Sequence, residues 1–119
     1  MTSMRAQLCE ISPGYVEITA PISPDFTQQH GFAHAGLTFA LGDTAAGYAA
    51  LSLMETEQEV LTVEMKINLL APGRGDRLIA AGTVVKPGRR LIVARADVTA
   101  EAGGARTPIA TLLGTMIPV

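Results

Sequence analysis

Ala35–Met54 reads AGLTFALGDTAAGYAALSLM, and this stretch decides the fold. Leu37, Phe39, Ala40, Leu41, Ala45, Ala46, Tyr48, Ala49, Ala50, Leu51 and Leu53 suit a helix of about five turns, apolar almost all round. A helix of that kind is buried rather than amphipathic. Gly36, Gly42 and Gly47 each cost about 1 kcal/mol of helix propensity relative to alanine. Small residues here point to close packing, against a sheet or another helix. Glu55, Glu57 and Glu59 then mark the return to solvent.

Working outward, residues 59–70, 76–86, 90–101 and 106–118 read as a four-strand meander. Its breaks are Pro72-Gly73-Arg74-Gly75, Lys86-Pro87-Gly88-Arg89 and Ala102-Gly103-Gly104. In the first strand, alternation places Leu61, Val63, Met65 and Ile67 on one face and Thr62, Glu64, Lys66 and Asn68 on the other. Leu78 to Val85 is apolar on both faces and wants cover on both sides. One helix cannot give that, so an oligomer is expected. Upstream, Ser12-Pro13-Gly14-Tyr15 sets a type II turn between two strands. Ile22 to Ala33 reads as a loop. The whole is an α+β arrangement in a single domain, 1–119, with an antiparallel sheet wrapped around one long central helix.

Asp43 is the only charged side chain between residues 35 and 54. A buried carboxylate needs partners or a wet cleft. Two readings stand: a general base or nucleophile poised by its surroundings, or a structural carboxylate bonded to a neighbouring strand. The helix start, Gly31-Phe32-Ala33-His34-Ala35-Gly36, holds no Ser, Thr, Asp or Asn to cap the first turn. The amides of Ala35, Gly36 and Leu37 are therefore expected to be free, either to hold a developing oxyanion or to be capped by water or the preceding loop. These two features cannot meet within one chain. Eight residues separate Ala35 from Asp43, about 12 Å of helix at 1.5 Å per residue. If both act on one acyl group they come from different subunits. Antiparallel helices about a two-fold axis would bring them together, with Gly36, Ala40, Gly47 and Ala50 allowing close approach.

The remaining reactive residues are few. His34 serves as an acid–base group or holds the helix start in position. Cys9, the only cysteine, reads as a buried, inert strand thiol. Lys86, Gly88, Arg89 and Arg90, with Arg74 and Arg77, form basic turns that bind phosphates or merely solvate the surface.

Composition narrows the function classes. A hydrophobic fraction of 48% against 17% charged residues excludes a disordered chain. One cysteine excludes an internal disulfide framework, and with two histidines no structural metal site is expected. Five aromatic residues, no tryptophan and a net charge of −2 give no reason to expect nucleic acid. No basic segment followed by an apolar one opens the chain, so a cytoplasmic location is expected and no membrane span. The charge is divided. Residues 1–65 hold one basic residue, Arg5, against eight acidic ones, while residues 66–119 hold eight basic against three acidic. A basic second half suits a phosphorylated ligand.

Two motifs carry a family resemblance. The segment Gln28-Gln29-His30-Gly31-Phe32-Ala33-His34-Ala35-Gly36, followed by Asp43-Thr44-Ala45-Ala46-Gly47, resembles the hotdog-fold acyl-CoA thioesterases of the phenylacetate-pathway (PaaI) type. Leu61-Thr62-Val63-Glu64-Met65-Lys66-Ile67-Asn68-Leu69-Leu70-Ala71-Pro72 matches that family's second landmark. The histidine–acid spacing of nine residues, joined to the second landmark, makes the match specific.

The resemblance implies a hotdog fold and hydrolysis of an acyl-CoA thioester to free acid and CoA. It makes Asp43 the nucleophile or general base and the Ala35 amide the oxyanion donor, with Gly36 beside it toward the substrate. Gln28 assists at the thioester or positions water, and Thr62 orients water. The family's usual His-Gly-Gly is His34-Ala35-Gly36 here, which serves if no positive φ is needed. It implies a homodimer, often a dimer of dimers, with coenzyme A as part of the substrate and no separate cofactor. A non-catalytic acyl-CoA sensor is the alternative, but such a module needs neither the acid nor a free helix terminus. An enoyl-CoA hydratase expects an acid followed closely by a histidine, the reverse of the order here. Phe39, Tyr48, Leu51 and Met54 would line an aryl or a medium-chain pocket equally well.

Overall fold

The computed structural model describes residues 4–22 and 33–119. Its elements are β1 (Gln7–Ser12), β2 (Tyr15–Pro21), α1 (Ala35–Leu51), β3 (Val60–Leu69), β4 (Arg77–Pro87), β5 (Ile92–Ala102) and β6 (Ala105–Pro118). The strands form one antiparallel sheet in the order β1-β2-β4-β5-β6-β3, with α1 across its concave face. This is the expected wrapped helix.

Alternation along the central strands builds the core. Ile18 pairs with Ala80, and Ala80 with Val98, all inward and all fully buried. Each large side chain so placed contributes about 1.5–3 kcal/mol. Alanines face them from α1, so the helix lies close to the sheet. At Gly82 the approach is closest, because a Cβ there would run into the Ala45 carbonyl. Gly14 takes φ 79° in the β1–β2 turn, the left-handed position that a type II turn requires.

Several expectations are corrected. The helix ends at Leu51 rather than Met54. Ser52 is the cap: its N–H donates to the Tyr48 carbonyl, and its Oγ accepts from Gly14 N at 2.8 Å, tying the helix end to the hairpin. Nor is α1 buried all round. Gly36 and Tyr48 are exposed, and Phe39, Ala40, Asp43, Thr44 and Leu51 are half-buried, forming one open stripe at helical spacing. The outer face of β4 needs less cover than expected, since Ile79 is only 4% exposed within one chain. Its far end still calls for cover, since Val85 is 54% exposed. Open apolar surface includes the α1 stripe with Leu61 and Val63 of the edge strand β3, and also Leu69, Leu70, Leu91 and Leu113. Cys9 is exposed on the other edge strand, β1.

The alternation expected in β3 also fails, for a local reason. Thr62 pairs with Met116 and Glu64 with Thr115, so Val63 is an extra residue in a bulge. Inward facing passes from Val60 and Thr62 to Met65 and Ile67, while Leu61 and Val63 turn outward. Thr62 therefore faces the helix.

Candidate active site

Asp43 sits mid-helix on the open stripe, where β3 passes beside α1. The bulge delivers Thr62 to it: Thr62 Oγ1 donates to Asp43 Oδ1 at 3.0 Å. Asp43 is half-buried rather than enclosed. One carboxylate oxygen is held by the threonine. The group lines an open cavity of about 300 Å³ with Thr44, Gly47, Tyr48, Val60 and Thr62. A carboxylate so oriented, with access to solvent space, can attack an electrophile or take a proton from water.

The helix start is capped in a way the residue types did not announce. His34 is the N-cap, and its Nδ1 accepts from Gly36 N at 2.9 Å. The His34 carbonyl accepts from Leu37 N and Thr38 N. Of the three amides expected to be free, Gly36 and Leu37 are thus engaged. Among the described residues no acceptor meets the Ala35 N–H. His34 Nδ1 holds a positional bond, which leaves only Nε2 for any proton transfer. Ala33 N donates to the Gly73 carbonyl at 2.8 Å, pinning this end of α1 to the β3–β4 connection. A second cavity of about 340 Å³ opens there, lined by Ala35, Thr38, Leu70, Pro72 and Ile109 among others.

Ala35 and Asp43 therefore border different cavities within one chain, as their spacing along the helix requires. Gln28 and His30 lie outside the described residues. The basic residues fall into two groups. Arg74 is exposed on the β3–β4 connection, beside the Ala35 cavity; Lys86, Gly88, Arg89 and Arg90 form the β4–β5 turn. The length of β4, about 30 Å at 3.3 Å per residue, separates them. Arg77 does not join either group: its Nε donates to Glu101 Oε1 at 2.8 Å, and Arg106 Nε reaches Glu101 Oε2 at 3.1 Å.

Of the pocket residues expected from sequence, Tyr48 does line the Asp43 cavity. Gly47 and Val60 were missed there, as were Leu70, Pro72 and Ile109 at the Ala35 cavity. Gly47 and Pro72 each close one of the two motifs, so a signal for them was present. Ile109 carried none. Among the described residues no group of His, Cys, Asp and Glu is arranged to hold a metal ion, and no helix is long and apolar enough to cross a membrane.

Comparison with known proteins agrees with this fold. The Thioesterase superfamily matches residues 30–106. A thioesterase family protein from Silicibacter pomeroyi, of known crystal structure, is 45% identical; the match covers 100% of this chain and 88% of that one, with a TM-score of 0.98. A Streptococcus mutans protein, solved bound to acetyl CoA, is 27% identical over 96% of this chain and 88% of its own, with a TM-score of 0.85. A Saccharolobus solfataricus relative named "Putative esterase" is 30% identical over 91% of this chain, which spans 69% of that relative.

Proposed function

Because the chain belongs to the thioesterase superfamily, a family of thioester hydrolases, we propose that it hydrolyses an acyl-CoA thioester to the free acid and CoA. The observation that carries this reading is the Asp43–Thr62 pair beside an open cavity on the helix. Asp43 either attacks the thioester carbonyl carbon or takes the proton of an attacking water, with Thr62 fixing its orientation. Charge then builds on the carbonyl oxygen, where the Ala35 N–H at the start of a second subunit's helix holds it. Collapse expels the CoA thiolate, which takes up a proton; where Asp43 itself attacked, water then cleaves the acyl–Asp43 anhydride, releasing the free acid and restoring the carboxylate. His34 keeps the helix start in shape for this, and Gly36 stands beside the amide that binds. Gln28, next to the same motif, assists at the thioester. No cofactor enters, because coenzyme A is part of the substrate.

The shared site supports a homodimer with α1 stripes packed antiparallel about a two-fold axis, and a dimer of dimers beyond it. In that arrangement the Arg74 end of one chain meets the Lys86–Arg90 turn of the other. Both basic groups then serve one nucleotide, which a single chain forbids. A cytoplasmic location belongs to the same reading. A panel of acyl-CoA substrates, with free thiol release as the signal, tests it. Turnover of at least one member is expected. Tight binding of acyl-CoA without thiol release would instead identify a sensor.

A further inference from the structure

The geometry points to Gly47 as the residue that sets the depth of the acyl pocket beside Asp43, and this rests on the thioesterase reading. Glycine is a poor helix residue, so each one in α1 calls for a cause. Gly42 has one, since a Cβ there would lie 2.8 Å from Leu112 Cδ1. Gly47 does not. It is not among the residues at positive φ, and an added Cβ would meet only Val60 Cγ1, at an ordinary 3.8 Å. The fold of one chain would accept alanine and gain helix propensity from it. What glycine preserves is space.

That space is one turn of helix from the Asp43 carboxylate, in the cavity that Tyr48, Val60 and Thr62 complete. Of about 300 Å³, this cavity is open to solvent, and Asp43, Thr44 and Thr62 line it together with Tyr48 and Val60. With the carbonyl carbon at Asp43, the acyl group extends over Gly47 toward Tyr48. The length of acyl group accepted then depends on the side chain at residue 47. Side chains added at residue 47 would occupy the volume that the distal carbons need.

The test is kinetic and compares ratios. Wild type, Gly47→Ala and Gly47→Val are assayed on acetyl-, butanoyl-, hexanoyl-, octanoyl- and phenylacetyl-CoA, with oligomeric state and Tm measured alongside. The kcat/KM ratio of hexanoyl- or phenylacetyl-CoA over acetyl-CoA should fall at least tenfold in Gly47→Val and less in Gly47→Ala, the range one or a few methylenes command in an apolar pocket. Tm should hold or rise in Gly47→Ala. A ratio that stays within threefold of wild type overturns the inference, as does a variant that loses its oligomer, which would place Gly47 in subunit packing. If wild type hydrolyses none of the panel, the thioesterase reading itself fails. If it hydrolyses the panel and the ratios do not move, only the role of Gly47 does.

Discussion

Asp43 shows how much one residue's meaning depends on its neighbour. Its isolation in an apolar helix marked it in the sequence, and chemistry and structure were both open readings of that mark. The hydrogen bond from Thr62 leaves a carboxylate that is held on one side and open to a cavity on the other. A purely structural carboxylate would be expected to spend both oxygens on the protein. Asp43→Asn keeps the shape and removes the basicity. It should fold with unchanged Tm and lose about 10²–10⁴-fold in kcat, the worth of a positioned acid–base group. Turnover within tenfold of wild type on the best substrate would make Asp43 structural. His34 carries a different lesson. Rules for capping favour Ser, Thr, Asp and Asn, yet an imidazole Nδ1 two residues before a free amide does the same work.

Elements were legible where the hydrophobic period was strong. The helix start, four strands of the meander and the Pro13-Gly14 turn all stand near their expected places, because composition and turn chemistry act locally. The β3 bulge was not legible, since two-residue alternation carries no sign of an inserted residue. That one residue moves Thr62 from the solvent face to Asp43. The β4–β5 pair shows a further link invisible to periodicity. Arg77 and Glu101 are register partners, and hydrogen bonds from Arg77, then Arg106, hold the Glu101 carboxyl below its ordinary value. A carboxyl depressed in the folded state stabilises above its unfolded pKa, and this is lost as pH falls through the folded one. Glu101→Gln should therefore lower Tm at neutral pH, with the gap to wild type closing as pH falls below the ordinary carboxylate range. A gap that is constant with pH would mean the carboxylate charge is not what matters.

At the scale of the whole molecule, the groups proposed to act together stand apart within a single chain. The Ala35 amide and Asp43 border separate cavities, and Arg74 stands a strand length from Arg89 and Arg90. Replacing Arg89 and Arg90 with glutamine should raise KM for acyl-CoA with little change in kcat, because ground and transition states lose the same contact. A pantetheine thioester lacking the nucleotide should be nearly indifferent; equal loss on both would show that these arginines do not read the CoA phosphates. Pairing of Ala35 with Asp43 across subunits is tested by mixing chains. Ala35→Pro removes the one N–H at issue at a position where proline is tolerated. Homodimers of Ala35→Pro and of Asp43→Asn should both be nearly inactive. In their doubly tagged mixed dimer, one site inherits both defects and the other neither, so about half of wild-type activity should return. A folded mixed dimer as inactive as its parents would confine the site to one chain, and the 12 Å of helix would then exclude Ala35 as oxyanion donor.

By itself the sequence determined the α+β class, the central helix, the meander, the acid at Asp43 and the impossibility of its meeting Ala35 along one helix. All of these follow from local period, turn residues and fixed helical rise. Only the tertiary structure decided which face of α1 stays open, that His34 closes the cap, that Thr62 reaches Asp43, and that Arg77 belongs to Glu101. Those depend on register and on the path of neighbouring strands, where a single inserted residue turns side chains from one face of the sheet to the other.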